Sequence, residues 1–176
     1  MYRVKPTIFI AVCLILSLTA CGDNDVNYET SSPKSIAEAL KTADQTGLIP
    51  SLNRDTTVAG PDVNNNYIRD DIEEYISGLS DSPQQKAALF QASSSITRAM
   101  LVDISDQNEL TEVSRLIANS SACAYSVYDS DTAHRKILMI EELVVNTKER
   151  FRAYENFSIA ISGTSFVLPQ GDGCEK

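Results

Sequence analysis

The sequence predicts an all-α protein, an antiparallel bundle of about five helices with an irregular C-terminal tail stapled by a disulfide. Three observations predict it. Beyond residue 32, apolar residues recur at spacings of three and four, the period of one helix face. Helix-start signals punctuate the chain: Ser-Pro twice, and an Asp with a Glu three places on. No series of strand-like alternations appears, and no repeat of fixed period. Residues 33–176 of the 176 suit one helical domain.

The first helix is expected from Ser32 as N-cap and Pro33 at the first helical position. Ile36, Leu40 and Ala43 form its stripe, and Gly47 is its stop. Residues 48–69 are the one long irregular stretch, and loops of that length inside a domain tend to be functional or metal-stiffened. A short helix follows from Asp70 to Leu79, with Ile72 and Ile76 inward. Ser82-Pro83 opens the third, with Leu89, Ile96, Met100 and Ile104 on its apolar face. Asp106 and Glu109 predict a capping box for the fourth, whose stripe is Leu110, Val113, Ile117, Ala124 and Val127. Asp131 or Thr132 starts a last long helix facing inward through Ile137, Ile140, Val144, Phe151 and Tyr154. From residue 158 onward, β-branched residues, Gly and Pro predict an extended tail, with Phe166, Val167 and Leu168 lying on the bundle.

The N-terminus has a different logic. Arg3 and Lys5 precede an uncharged, mostly apolar run from Thr7 to Leu18. A spanning helix needs about 20 apolar residues, so this run is the right length for a signal-peptide h-region instead. It ends in Leu18-Thr19-Ala20-Cys21, which resembles the lipobox of bacterial lipoproteins. The resemblance covers residues 1–22. It implies that residues 1–20 are a cleaved signal peptide and that Cys21 carries a diacylglyceryl thioether and further acylation. It also implies that residues 21–32 are a lipidated flexible tether, polar and poor in apolar side chains. Several acyl chains anchor firmly, at about 0.8 kcal/mol per buried CH₂. By the family's sorting pattern, Gly22 after the cysteine implies the outer membrane, with the domain facing the periplasm.

Of four cysteines, Cys13 leaves with the leader and Cys21 takes lipid. Cys123 and Cys174 remain in an oxidising compartment, where they pair or stay as two free thiols. As a disulfide they would contribute about 4 kcal/mol in the chain-entropy account.

"DVNNNYIRDDIE", residues 62–73, concentrates side-chain oxygens. Numbered from Asp62, they fall at positions one (Asp62), three (Asn64), five (Asn66), nine (Asp70) and twelve (Glu73), while position seven, Ile68, offers its backbone carbonyl. Calcium takes six to eight oxygens, and the EF-hand loop supplies them at this spacing. The segment resembles calcium loops of the EF-hand and thrombospondin type 3 kinds, which implies calcium at those six residues. It departs from the pattern at position six, where Tyr67 stands for the usual Gly, and at the two neutral Asn ligands, which favour weak binding on the order of 10⁻⁴ to 10⁻³ M. Two other readings use the same residues. The loop holds the same shape without metal, or it is a polar turn in which Asp70 caps the next helix in a box with Glu73.

Charge and motif content exclude several classes. The formal net charge is −9, and loss of Arg3 and Lys5 takes it to −11, which disfavours nucleic acid as a partner. The basic run at 147–152 reads as a solvated helix face. His134 is the only histidine and reads as a surface residue; Ser93, Ser94 and Ser95 read as a helix-packing face. No nucleophile elbow, zincin motif, P-loop or dinucleotide fingerprint occurs. The expected function is a non-enzymatic, membrane-anchored binding or structural module with a protein partner. A periplasmic immunity or inhibitor lipoprotein acting against a toxin is one alternative, and an enzyme using Asp70, Glu73 or His134 at a metal is another.

Overall fold

A computed structural model of the chain describes residues 36–47, 50–165 and 169–176. The leader, Cys21, the tether, the Ser32-Pro33 helix start and the Phe166–Leu168 segment lie outside these residues. Six helices occupy the described residues, with no strand among them: α1 Ile36–Gln45, α2 Asp70–Gly78, α3 Pro83–Leu101, α4 Gln107–Val127, α5 Ser130–Val144 and α6 Lys148–Ala160.

Local chemistry sets most boundaries. Gly47, at φ +68°, ends α1, and its N–H donates to the Asp44 carbonyl. Ser82 and Gln85 form a reciprocal capping box at the start of α3, with Pro83 in its first turn. The Asp106 carboxylate accepts from the Asn108 and Glu109 N–H groups. The expected box there is only half formed, because the Glu109 carboxylate accepts from Asp103 N–H instead, at 3.2 Å. Asp129, two residues before the expected start, caps α5 by accepting from Thr132 N–H.

The expected fifth helix is two. The backbone leaves the helical region at Val145 (φ −92°, ψ 38°) and restarts at Thr147, whose hydroxyl accepts from Arg150 N–H. This break resets the helix phase. Phe151, expected inward, is 56% exposed, and Arg150 takes the inward position beside Phe157 and Tyr154. Ile104 also departs from expectation: α3 stops at Leu101, and Ile104 lies in the following turn, 46% exposed. Helix α6 runs to Ala160, three residues into the stretch expected to be extended.

Helix α3 is the centre of the bundle, packed most extensively on α4 and also on α5, α6 and α2. It runs antiparallel to α4: Gln85 at its start bonds the Val127 carbonyl at the end of α4, and Ser95 meets Ser120 midway. Small buried residues are frequent on both helices, Ala92, Ser95 and Ala99 on α3 and Ser120 and Ala124 on α4. The Ser95 and Ser120 hydroxyls lie 2.9 Å apart, and each can donate its one proton either across the pair or to the carbonyl three residues back, so the buried hydroxyls cost little. The main core joins Ile68, Ile72 and Ile76 to Leu89, Ile96 and Met100 of α3 and to Ile140 and Val144 of α5. Burying each of these side chains is worth about 1.5–3 kcal/mol. A second cluster gathers Ala99, Leu110, Val113 and Phe157. The Cys123–Cys174 disulfide joins α4 to the tail, with the Cα atoms 4.6 Å apart.

Candidate cation-binding loop and its arginine clamp

Residues 62–73 form a tight loop that runs into the first turn of α2. Its side-chain oxygens are bound to its own backbone. The Asp62 carboxylate accepts from Asn66 N–H at 3.2 Å and Tyr67 N–H at 2.8 Å. Asn64 Oδ1 accepts from Asn66 N–H and Asn66 Oδ1 from Ile68 N–H, two successive Asx turns. Asp70 Oδ1 accepts from Val63 N–H, which draws the two ends of the loop together. The amides of Asn64 and Asn66 both donate to the Glu73 carboxylate, the latter at 2.5 Å. Positions three, five and twelve therefore meet on one side of the loop.

Position six has a left-handed backbone despite its side chain. Tyr67 adopts φ +65°, and Asn65 two residues earlier φ +57°. Asn tolerates that region well and a bulky residue poorly. The Tyr67 ring is held from outside: the Arg98 guanidinium of α3 lies 4.0 Å from its centroid. The cap half of the cap-and-turn reading is corrected here, while the polar turn itself is present as the two Asx turns. The N-cap of α2 is Arg69, whose side chain makes no cap bond, and Glu73 faces the loop amides rather than an N-cap backbone N–H. Ile68 buries its side chain in the main core and so anchors position seven. Among the described residues no group of three or more His, Cys, Asp or Glu side chains is gathered as a metal centre; the convergence on Glu73 is made by two amides. His134 is exposed near the start of α5.

Behind the loop stands a feature that sequence reasoning missed. Arg69 and Arg150 are 3% and 0% exposed. Arg69 makes a two-pronged bond to Asp71 and donates to the Leu143 and Val144 carbonyls, the open C-terminal end of α5. Arg150 donates to the Val58 and Asn53 carbonyls and to the side chains of Asn53, Asp55 and Asn146. Asn146, in the break between α5 and α6, also donates to the Asn53 carbonyl. The two guanidiniums thus clamp residues 53–71 onto the α5–α6 junction. Burial, and then the neighbouring Arg69 charge, push the Arg150 guanidinium below its usual range. The Asp55 carboxyl is held below the usual carboxylate range, first by the Thr57 hydroxyl. Gly60 makes the clamp sterically possible. It sits at φ +71°, and a Cβ there would lie 2.3 Å from Arg69 Cδ and 2.9 Å from Arg150 Nη2. The signal that could have found Arg150 is its spacing, since residues 150, 154 and 157 share one face of α6.

Comparison of the chain with protein-family models, with curated proteins and with solved structures finds no match.

Proposed function

We propose that this chain is a membrane-anchored, non-enzymatic lipoprotein whose helical bundle carries a calcium-stabilised loop and binds a protein partner. The observation that carries the loop reading is Tyr67, which stands at position six with the positive φ of a calcium loop while Asn64 and Asn66 meet Glu73. The donor set suits a hard cation, being all oxygen: Asp62, Asn64, Asn66, Asp70, Glu73 and the Ile68 carbonyl. A bound calcium would supply positive charge where two amides now face a carboxylate. Asp62 and Asp70 would turn oxygens toward it, and the Asx turns would keep the loop shape.

The lipid anchor rests on the leader and Leu18-Thr19-Ala20-Cys21, and Cys21 would carry the lipid on the periplasmic face of the outer membrane. The buried serines have a packing role, which favours a binding module over a hydrolase.

Calorimetry and thermal melts with calcium and with chelator test the loop. At about 5 mM calcium, the affinity expected of such a loop stabilises the fold by about 1–2 kcal/mol, a rise of several degrees. Neither heat nor a shift in melting temperature at that concentration ends the calcium reading. Incorporation of labelled palmitate tests the anchor, and a label that persists in Cys21→Ala excludes it.

A further inference from the structure

An open groove of about 800 Å³ lies between the candidate loop, the first half of α3, the end of α4 and residues 172–175. Its accessible apolar lining includes Ala87, Phe90 and Val127. On the loop side stands Asn66, whose carbonyl accepts from the Ser94 hydroxyl at 3.2 Å. The opposite wall is the C-terminal tail. Cys174 ties it covalently to α4, and the buried Gln91 bonds it twice, donating to the Gly173 carbonyl and accepting from Glu175 N–H. A cysteine bridge and two hydrogen bonds hold that wall fast.

The charge of the groove has one sign. Its only charged lining residues are Asp172 and Glu175, both exposed at the rim. A third carboxylate, Glu73, stands one hydrogen bond behind Asn66. We infer that the groove binds an extended segment of a partner protein in which Lys or Arg alternates with apolar residues. Side chains of an extended chain point alternately to opposite sides, so one set can rest on Ala87, Phe90 and Val127. The cations on the other set meet Asp172 and Glu175. The overall charge of −9 draws such a segment in from a distance, whereas an anionic lipid surface or a nucleic acid is repelled by the same rim. The inference does not depend on calcium in the loop.

Fluorescence anisotropy on the purified, oxidised full chain tests it. The probes are three labelled hexapeptides, Leu-Lys-Val-Lys-Leu-Lys and its Gln and Glu counterparts, which place the apolar residues on one side and the variable ones on the other. The lysine peptide should bind at least about tenfold more tightly than the glutamate peptide, and added salt should narrow the gap. Combining Asp172→Asn with Glu175→Gln should weaken the lysine peptide by about fivefold and leave the glutamine peptide unchanged. The Asn at 172 keeps an oxygen for Cys174 N–H, which Asp172 now accepts. Ala87→Arg, at an exposed position in the groove lining, should abolish binding of the lysine and glutamine peptides, with an unchanged melting curve showing that the fold survives. Equal affinity for the three peptides, or full lysine-peptide binding in the double variant or in Ala87→Arg, overturns the inference. So does displacement by spermidine at the lysine peptide's own affinity, which would give the groove to a small polycation.

Discussion

Tyr67 holds a left-handed backbone that costs a side chain roughly 1–2 kcal/mol. At 41% exposure, burial offsets little of that, and the Arg98 stack returns about 0.5–1 kcal/mol. Tyr67→Gly relieves the strain, loses the stack and adds unfolded-state entropy of about 0.5–1 kcal/mol. These terms nearly cancel, so chemical denaturation should place this variant within about 1 kcal/mol of the parent. Tyr67→Val keeps the strain in β-branched form and loses the stack, and should be destabilised by about 1–2 kcal/mol. A glycine variant weaker than the valine variant would show that backbone strain does not govern this position. Gly60 is the opposite case, since neither its φ of +71° nor the 2.3 Å approach to Arg69 leaves room for a methyl group. Gly60→Ala should cost more than about 2 kcal/mol, read from the same denaturation curves. Arg98 and Gly60 have no local pattern that announces these roles, because the partners that define them lie far away in sequence.

At the scale of elements, the informative junction is between α5 and α6. Periodicity read residues 131–154 as one helix because apolar spacing continues across the break. What ends α5 is the tertiary demand at Asn146 and Arg150, which hold residues 53–58, and periodicity carries no trace of that demand. Where a helix boundary depends on its own neighbours, as at Ser82, Asp106 and Gly47, it was legible. So was the disulfide, because assigning Cys13 to a leader and Cys21 to lipid left one pair. That residues 62–73 form a tight polar loop entering α2 was legible from their Asn and Asp content, whereas the clamp behind it depends on contacts up to 97 residues apart. Arg150→Met should release the long loop while keeping the bundle. Asp55 is 41% exposed, so it stays solvated once its partner is lost. The main cost is unpaired groups around Asn53, Val58 and Asn146, about 2–3 kcal/mol in all. Limited trypsin digestion reads this directly, since Arg54 is exposed within the loop. Cleavage after Arg54 should accelerate at least about tenfold, and an unchanged rate would mean that the clamp does not hold the loop.

The molecule as a whole should be acid-sensitive in a defined direction. The carboxyls of Asp55, Asp103, Asp129 and Glu112 are held below their ordinary values, first by Thr57, Ser105, Thr132 and Arg115 respectively. Folding therefore favours their ionised forms. That stability is present above the ordinary values of 3.8 and 4.5 and is lost as pH falls through the lower folded ones. Urea midpoints should be level from about pH 5 to 7 and fall steadily below about pH 4; a midpoint that rises on acidification contradicts this. Reduction, or Cys123→Ser, should cost about 2–4 kcal/mol, seen as a lower melting temperature for the reduced chain.

The clamp also fixes an order of events in time. Arg150 reaches its partners at Asn53, Asp55 and Val58 across 92 to 97 residues, and it can do so only after the α5–α6 junction exists to aim it. Such distant closures are entropically slow and late. Residues 53–61 are therefore the last segment to settle, on a bundle already built from α3 to α6. In stopped-flow measurements Arg150→Met should leave the folding rate nearly unchanged and speed unfolding, the signature of a bond made after the transition state.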